Sequence, residues 1–423
     1  MVRCAELIHN LNRTKFRCQF NLKYPMYFVQ KPPHFLWLCL IILPLHMACS
    51  GQNQAETQSP TDITYELVKI DSIRIDKLET VQITAYHAAT NRFTAYGTST
   101  QKCFELDRQG NVLSEVDLTG EGPGHFGRSI TELGYMGGQK IIHGPMMYLL
   151  YDEDWSYQRR IVYEASGYNT KVSYIDGAPL AVAIKDSYAI AKPKDHNSSG
   201  FIKLDEGYFE QANMLEIIDA ESGKSQSILN YPDNTIYRTD NRYYQSHNAI
   251  PAFNNATGQL LLALPLEQKL YVYEPGNEYE LVNELNLNLT GFREPKGIAF
   301  GDQHKNSLRG FGPSNQLNYV NSLANSMIQE VSSLGEINIV RHKSGFEIGT
   351  GKMTYQQALQ EARMKNRHFT TFWKGNELLL EIEQRFKRMV RISEYQFISE
   401  DVNEEVERDF TQYFVYELRQ STQ

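Results

Sequence analysis

Several functional classes are excluded by what the sequence lacks. No run of about 20 apolar residues occurs, so the chain does not cross a membrane with several helices. Basic residues are outnumbered, 42 Lys and Arg against 50 Asp and Glu, a balance that disfavours nucleic acid, whose phosphates demand a basic face. H-E-x-x-H, C-x-x-C and G-x-S-x-G are all absent, which removes the common zinc, thiol and nucleophile-elbow sites; no metal and no cofactor is expected. Tryptophan is scarce at 3 residues, yet 26 Tyr and 20 Phe raise the aromatic content to 12%. Such rings pack well on a pleated surface, which disfavours an all-helical protein.

The one sustained apolar stretch, Phe35 to Leu45, is too short to span a bilayer comfortably. Lys31 precedes it and small residues lead to Cys49, the anatomy of a signal peptide over residues 1–48. Leu45-His46-Met47-Ala48-Cys49 resembles a bacterial lipobox, although His46 and Met47 depart from its usual residues. The resemblance implies that the Cys49 thiol carries a diacylglycerol anchor, the membrane partner of the mature chain. The plain alternative is an ordinary secretory signal with a chance cysteine. Met26 opens a segment of normal signal length and is the expected true start.

Cleavage would remove Cys4, Cys18 and Cys39, and lipidation would occupy Cys49, leaving Cys103 without an intramolecular partner. It would also remove six basic residues and one acid, taking the net charge from −8 to −13. That charge repels anionic headgroups, so attachment falls to the lipid and a polar tether, residues 49–62, with the body at 63–423.

From Ile63 onward one form recurs: an apolar strand, an acidic or glycine corner, a second strand. Lys102 to Leu106 turns at Asp107-Arg108-Gln109-Gly110-Asn111 into Val112 to Leu118, and Met214 to Ile218 turns at Asp219-Ala220-Glu221-Ser222-Gly223 into Gln226 to Leu229. Leu270 to Tyr273 turns at Glu274-Pro275-Gly276-Asn277 into Tyr279 to Leu285. Weaker copies run from Met147 to Tyr163 through Asp152-Glu153-Asp154, and from Thr370 to Ile382 through Lys374-Gly375-Asn376. The corners Asp107, Asp152, Asp219 and Glu274 stand 45, 67 and 55 positions apart, within the range of propeller blades carrying loop insertions. About 360 residues over six blades gives roughly 60 per blade. The expected fold is an all-β propeller, six-bladed, with one or two inserted helices. Tyr65 to Ile75 and Thr411 to Leu418 both alternate like strands, so one is expected to complete the other's blade and close the ring.

Two segments read as helices. Leu317, Val320, Leu323, Ala324, Met327, Ile328 and Val331 recur at helical spacing, and Thr354 with Gln357 forms a capping-box pattern ahead of Ala358 to Lys365.

Phe104-Glu105-Leu106-Asp107-Arg108-Gln109-Gly110, followed by Gly120-Glu121-Gly122-Pro123-Gly124-His125-Phe126, resembles a pattern of Bacteroidota six-bladed propeller lipoproteins of the TolB-like or NHL-like kind. His125 replaces the usual acid of that loop. The resemblance covers some 25 residues and implies the propeller fold and an envelope location in a Gram-negative bacterium; it lends no catalytic residue. Ser50 to Gln54 lacks the acidic run that resembles a surface-export tag in that group, which favours the periplasmic face of the outer membrane over the cell surface. Asp71-Ser72-Ile73 resembles its O-glycosylation triplet, marking Ser72.

Gly122 to Gly127 spells G-x-G-x-x-G, but the glycines that follow leave no room for the helix whose N-terminus would hold a pyrophosphate. Gly223-Lys224-Ser225 and Gly349 to Thr354 are fragments of a phosphate loop without its first glycine and read as turns. Asp152 to Asp154 and the run Glu400 to Glu407 lack the spacing of a calcium loop.

The stretch from Tyr231 to His247 stands out because Tyr237, Arg238, Asp240, Arg242, Tyr243, Tyr244 and His247 fall within eleven positions. Rings beside Arg and Asp suit a sugar or peptide, with the ring covering C–H faces and the ionic groups fixing polar ones. The alternative is a long loop whose tyrosines pack on a blade. Lys192 to His196 and Arg293 to Lys296 are weaker candidates for the same face. The expected function is a binding or protein-interaction module for a glycan, peptide or protein. The alternative is a glycan hydrolase or lyase, which needs two carboxylates about 5 to 10 Å apart in a pocket that also holds Tyr243 or Arg242.

Overall fold

The computed structural model describes residues 63–144, 147–163, 180–184, 187–194, 206–240, 242–274, 279–300, 313–349, 353–401 and 409–422. The leader, Cys49, the tether, Asp195 with His196, the corner Pro275 to Asn277, Gly351-Lys352 and residues 402–408 lie outside the described residues.

The N-terminal strand β1 (Ile63–Ile75) is set apart from the strands that follow it. Blade 1 is β2 (Val81–His87), β3 (Arg92–Gly97), β4 (Cys103–Leu106) and β5 (Val112–Val116). Blade 2 is β6 (Glu132–Met136), β7 (Gln139–Gly144), β8 (Met147–Tyr151) and β9 (Tyr157–Val162). Blade 3 is β10 (Leu180–Ile184), β11 (Ser187–Pro193), β12 (Asn213–Asp219) and β13 (Ser225–Asn230), with the one-turn helix α1 (Tyr208–Gln211) between β11 and β12. A second one-turn helix, α2 (Ile236–Thr239), and the short strand β14 (Arg242–Tyr243) lead into blade 4: β15 (Ile250–Phe253), β16 (Leu260–Ala263), β17 (Lys269–Glu274) and β18 (Glu280–Asn286). Strand β19 (Ile298–Ala299), which pairs with β14, and helix α3 (Pro313–Ala324) precede blade 5. That blade is β20 (Met327–Leu334), β21 (Ile337–Lys343), β22 (His368–Lys374) and β23 (Glu377–Ile382), with α4 (Tyr355–Lys365) between β21 and β22. Blade 6 is β24 (Met389–Arg391), β25 (Gln396–Glu400) and β26 (Thr411–Thr422), completed by β1 as its outermost strand.

The architecture is a six-bladed β-propeller, and the five hairpins legible in the sequence are the third-to-fourth-strand hairpins of blades 1 to 5. Blade 6 has no such hairpin because β26 and β1 come from opposite ends of the chain, paired antiparallel from Ile63↔Thr422 to Ile75↔Thr411. Three of the acidic corners, at Asp107, Asp152 and Asp219, are side-chain-braced turns. Asp107 Oδ1 accepts the amides of Gln109 at 2.9 Å and Asn111 at 2.8 Å, and Asp152 Oδ1 accepts those of Asp154 and Ser156 at 3.0 and 2.8 Å. Asp219 Oδ1 accepts the Ser222 amide at 2.6 Å.

Two of these corners require glycine for a second reason. A Cβ on Gly110 would lie 2.3 Å from the Arg74 carbonyl of blade 6, and one on Gly223 would lie 2.2 Å from the Val162 carbonyl of blade 2. In each case the corner of one blade abuts the outer strand of the blade before it.

Between the blades lie apolar layers. Ile73, Ile75, Val81, Ile83, Phe93, Phe104, Tyr413 and Val415 seal blade 6 to blade 1. Each such side chain contributes about 1.5–3 kcal/mol through burial. Cys103 is fully buried, and burial pushes its thiol far above its ordinary range.

Helix α4 carries the expected capping box: Gln357 N–H donates to Thr354 Oγ1 at 3.2 Å, and Thr354 N–H donates to Gln357 Oε1 at 2.9 Å. The other helical pattern needs correction, because α3 ends at Ala324 and Met327 to Val331 lie in β20. A bulge between Ile328 and Glu330 puts Ile328 and Val331 on the same buried side, so a strand imitates the i, i+3 spacing of a helix.

In each antiparallel blade the first-to-second and third-to-fourth connections share one end of the strands, and the remaining connections share the other. At the first end no connection exceeds six residues. All the long segments, including 117–131, 194–212, 231–249, 287–326 and 344–367, emerge at the second, termed here the insertion face. Functional side chains concentrate on loops held by a rigid scaffold, so this asymmetry indicates which face carries them.

Candidate functional site: a polar cleft on the insertion face

The segment from Tyr231 to His247 connects blades 3 and 4 across the insertion face, and its rings interlock around Phe209 of α1. Phe209 meets Tyr231, Tyr237 and His247 at centroid distances of 4.9, 5.6 and 5.5 Å, and Tyr237 meets Tyr244 edge-on at 5.8 Å. Each buried phenol satisfies its hydroxyl locally. Tyr231 donates to the His247 carbonyl at 2.8 Å, Tyr237 to the Ser246 carbonyl at 2.7 Å, and Tyr244 to Asp240 Oδ2 at 2.5 Å. Burial lifts the Tyr237 and Tyr244 phenols above their usual range, and Tyr243 is pushed up to about 12, so all three stay neutral at physiological pH.

Beside this wall is a cleft of about 300 Å³ lined by Glu206, Gly207, Phe209, Glu210, Tyr237, Arg238, Asp240 and Phe300. It draws on three separate insertions: the one holding α1, the one holding α2, and the segment after β19. Of the seven residues singled out in the sequence, Tyr237, Arg238 and Asp240 reach the cleft. Tyr243, Tyr244 and His247 are buried in the core behind it, and Arg242 is exposed outside its lining.

Arg238 is held by the Tyr231 carbonyl at 2.8 Å and by an ion pair with Asp233. Asp240, besides accepting from Tyr244, lies 3.7 Å from Arg242 Nε. The anchor of the arrangement is Glu267, which no sequence motif marks. Its Oε1 accepts the Ile236 amide at the start of α2 at 2.7 Å, and its Oε2 accepts the Tyr271 hydroxyl at 2.8 Å. Burial lifts the Glu267 carboxyl above the usual carboxylate range despite those two bonds.

The weaker candidates lie elsewhere. Lys192 pairs with Glu216 at 2.9 Å and Lys194 donates to Ser227 Oγ at 2.7 Å, both within blade 3. Arg293 makes an exposed pair with Glu347 at 2.9 Å, and the Lys296 amide donates to Asn325 Oδ1 at 2.8 Å. The Gly122 to Gly127 loop closes on itself through Gly120 and Gly127, is held by Tyr151 donating to the Gly124 carbonyl at 3.0 Å, and runs into strand β6 rather than a helix.

A second polar group lies at the seam of blades 2 and 3. Glu132 and His143 are cross-strand partners with Oε2 and Nδ1 3.3 Å apart, the His143 ring stacks on Tyr148 at 4.3 Å, and its Nε2 is 2.8 Å from the Tyr163 hydroxyl. Lys192 Nζ lies 4.3 Å from the Tyr163 ring centre. Burial, reinforced by Glu132 and Glu216, raises the Tyr163 phenol, which therefore stays protonated at physiological pH beside His143. Among the described residues no group of three His, Cys, Asp or Glu is placed to hold a metal ion, and no helix is long and apolar enough to cross a membrane.

The fold and its one-sided insertions define the class: a six-bladed propeller with an elaborated face. No family model matches the sequence, and no curated protein matches it. Among solved structures the chain is similar to a member of the DUF4221 family from Bacteroides vulgatus ATCC 8482, with a TM-score of 0.60 at 10% identity over 85% of this chain and 99% of that one. It is also similar to a protein from Bacteroides fragilis NCTC 9343, with a TM-score of 0.46 at 9% identity over 85% and 95% of the two chains. The PQQ-bound aldose sugar dehydrogenase of Streptomyces coelicolor gives a TM-score of 0.40 at 11% identity over 84% and 99%. At such identities the likeness shows the propeller fold alone.

Proposed function

We propose that this chain is a binding module of the bacterial envelope that takes its ligand on the insertion face, in the cleft beside Arg238 and Asp240. The observation that carries the reading is the cleft itself, assembled from three insertions on the face that bears all the long connections. A site built this way places polar groups from distant parts of the chain on a rigid scaffold, as small-ligand sites do. The test is a glycan and peptide screen of the protein with Arg238→Ala as its control. Binding lost in the variant at unchanged melting temperature supports the cleft; binding unaffected by the substitution removes it.

The envelope part of the reading is supported by the leader sequence, with Cys49 as lipid acceptor and the periplasmic face of the outer membrane as destination. Cys49→Ser should leave the protein unprocessed or soluble, and recovery in the membrane fraction at the wild-type level and size would refute the anchor. Ser72 is exposed on the outermost strand of blade 6, a position open to a glycosyltransferase. Mass spectrometry finding Ser72 bare would remove that modification.

One observation favours the glycan-hydrolase alternative: Glu206, Glu210 and Asp240 share one cleft. Neither Tyr243 nor Arg242 lines it, however, so the arrangement meets only part of what that reading requires. Release of reducing ends from a bound glycan, abolished by Asp240→Asn, would establish it.

A further inference from the structure

Arg238 and Asp240 reach the cleft from α2 and its C-cap, a helix of one turn. So short a helix does not hold its shape alone, because one turn fixes several dihedrals for very few hydrogen bonds. Its N-cap residue is Thr235, a type that usually caps with its own hydroxyl. Thr235 makes no such bond, and its Oγ1 is buried without a hydrogen-bond partner among the described residues. The cap comes from blade 4 instead. Glu267, in the connection between β16 and β17, accepts the Ile236 amide at 2.7 Å through Oε1, while its Oε2 accepts from Tyr271 of β17 at 2.8 Å. The first turn of α2 is thus tied to the scaffold by a side chain that can gain or lose a proton.

We propose that Glu267 is a proton-controlled latch on α2, gripping the helix more firmly when protonated than when ionised, so that acid orders the cleft and a rise in pH loosens it. Its meaning for ligand retention rests on the cleft being the binding site. Glu267 is 7% exposed, and a buried carboxyl favours its neutral form. The groups that face it relieve that cost only in part. The Ile236 amide and the Tyr271 hydroxyl each donate one bond, and Tyr237 of α2 presents a neutral phenol. Lys269 of β17 favours ionisation but is paired with Glu284 of β18 at 3.3 Å, whose own charge opposes it. When α2 lets go, Glu267 gains water and titrates as an ordinary carboxyl. The latched state therefore binds the proton more tightly than the released state, and protonation favours the latch. The bonds survive the change, because the Tyr271 hydroxyl can turn from donor to acceptor at Oε2 and leave Oε1 to the Ile236 amide. The grip should weaken as pH rises from the ordinary carboxylate range to the raised value and level off above it.

The experiment needs no ligand. Amide hydrogen exchange of the full protein is followed from about pH 4 to about pH 8, corrected for the intrinsic effect of pH, with β16 and β17 as the internal reference for global opening. Protection of the α2 amides relative to that reference is expected to fall severalfold across the range in wild type. It should stay flat in Glu267→Gln, which keeps an acceptor toward Ile236 but cannot ionise. Tyr271→Phe removes a donor to the ionised form and should steepen the fall, a second test that stands even if the Gln variant does not fold. A flat wild-type profile, a fall that persists unchanged in Glu267→Gln, or a Tyr271→Phe profile no steeper than wild type overturns the latch. Each of these results leaves the cleft standing, because the ligand screen with Arg238→Ala tests it separately. Failure of the cleft in that screen, in turn, leaves the exchange profile of α2 unaltered.

Discussion

The Tyr413 hydroxyl accepts the amide of Ile83 at 2.9 Å and donates to the carbonyl of Val81 at 3.0 Å, hydrogen-bonding the last blade to the inner strand of the first. The bond spans more than 300 residues of sequence, so it forms only when the ring closes. Tyr413→Phe keeps the packing and leaves two buried backbone groups without that partner. The variant should lose about 2 kcal/mol of stability, read as a melting point lowered by a few degrees. An unchanged melting point would mean that closure rests on the β1–β26 ladder and the apolar layer between blades 6 and 1 without help from this hydroxyl.

Gly223 and Gly138 both adopt positive φ, +71° and +84°, but only Gly223 has a neighbour in the way, the Val162 carbonyl 2.2 Å from where an added methyl would sit. Gly138→Ala should cost about 1 kcal/mol from backbone strain alone. Gly223→Ala should cost at least about 2 kcal/mol more, because blades 2 and 3 must move apart. Equal denaturant midpoints for the two variants would contradict the proposed contact between each corner and the blade before it.

Lys343 is buried with no carboxylate partner among the described residues and donates to the carbonyls of Ser322 and Leu323 at the end of α3, at 3.0 and 2.9 Å. Burial lowers its pKa from 10.5 to about 8. Between those values the unfolded chain holds a proton that the folded chain has released, so stability should rise with pH across that window. Below about pH 8 both states are protonated and the burial penalty is fully present. Lys343→Met should remove this rise, about 2–3 kcal/mol relative to wild type between pH 8 and 10.5. A variant that tracks wild type across the window would show that Lys343 titrates normally.

Tyr244 packs behind the cleft with its hydroxyl on Asp240, so Tyr244→Ala should lower stability by about 3 kcal/mol through the lost ring. Tyr244→Phe should be milder in stability and act chiefly on ligand affinity by freeing Asp240 Oδ2. If both variants melt like wild type, the aromatic wall is not the support described for the cleft.

The repeat is legible in the sequence because each corner is a local device. Asp107 and Asp219 brace their own turns, and Gly110 and Gly223 announce a positive φ within the same few residues. Blade 6 shows no corner in the sequence because its outer strands, β26 and β1, are at opposite ends of the chain, although the alternation of both segments anticipates the closure. The bulge at Gln329 disguises Met327 to Val331 as helix, since one unpaired residue converts a period of two into a spacing of three. The candidate loop stands out through its density of rings and charges, but most of those rings pack as core, and much of the cleft is supplied by Glu206, Glu210 and Phe300 on other insertions. No spacing in the sequence relates Glu210 to Phe300. Their proximity is set by how blades 3 to 5 stack.

The central claim is that the insertion-face cleft binds a ligand, and the most direct measurement is a crystal structure of the protein with the tightest ligand from the screen. Electron density for that ligand against Arg238, Asp240 and Glu210 is the predicted result. Density at the opposite face, or in the central channel away from these three residues, would contradict it.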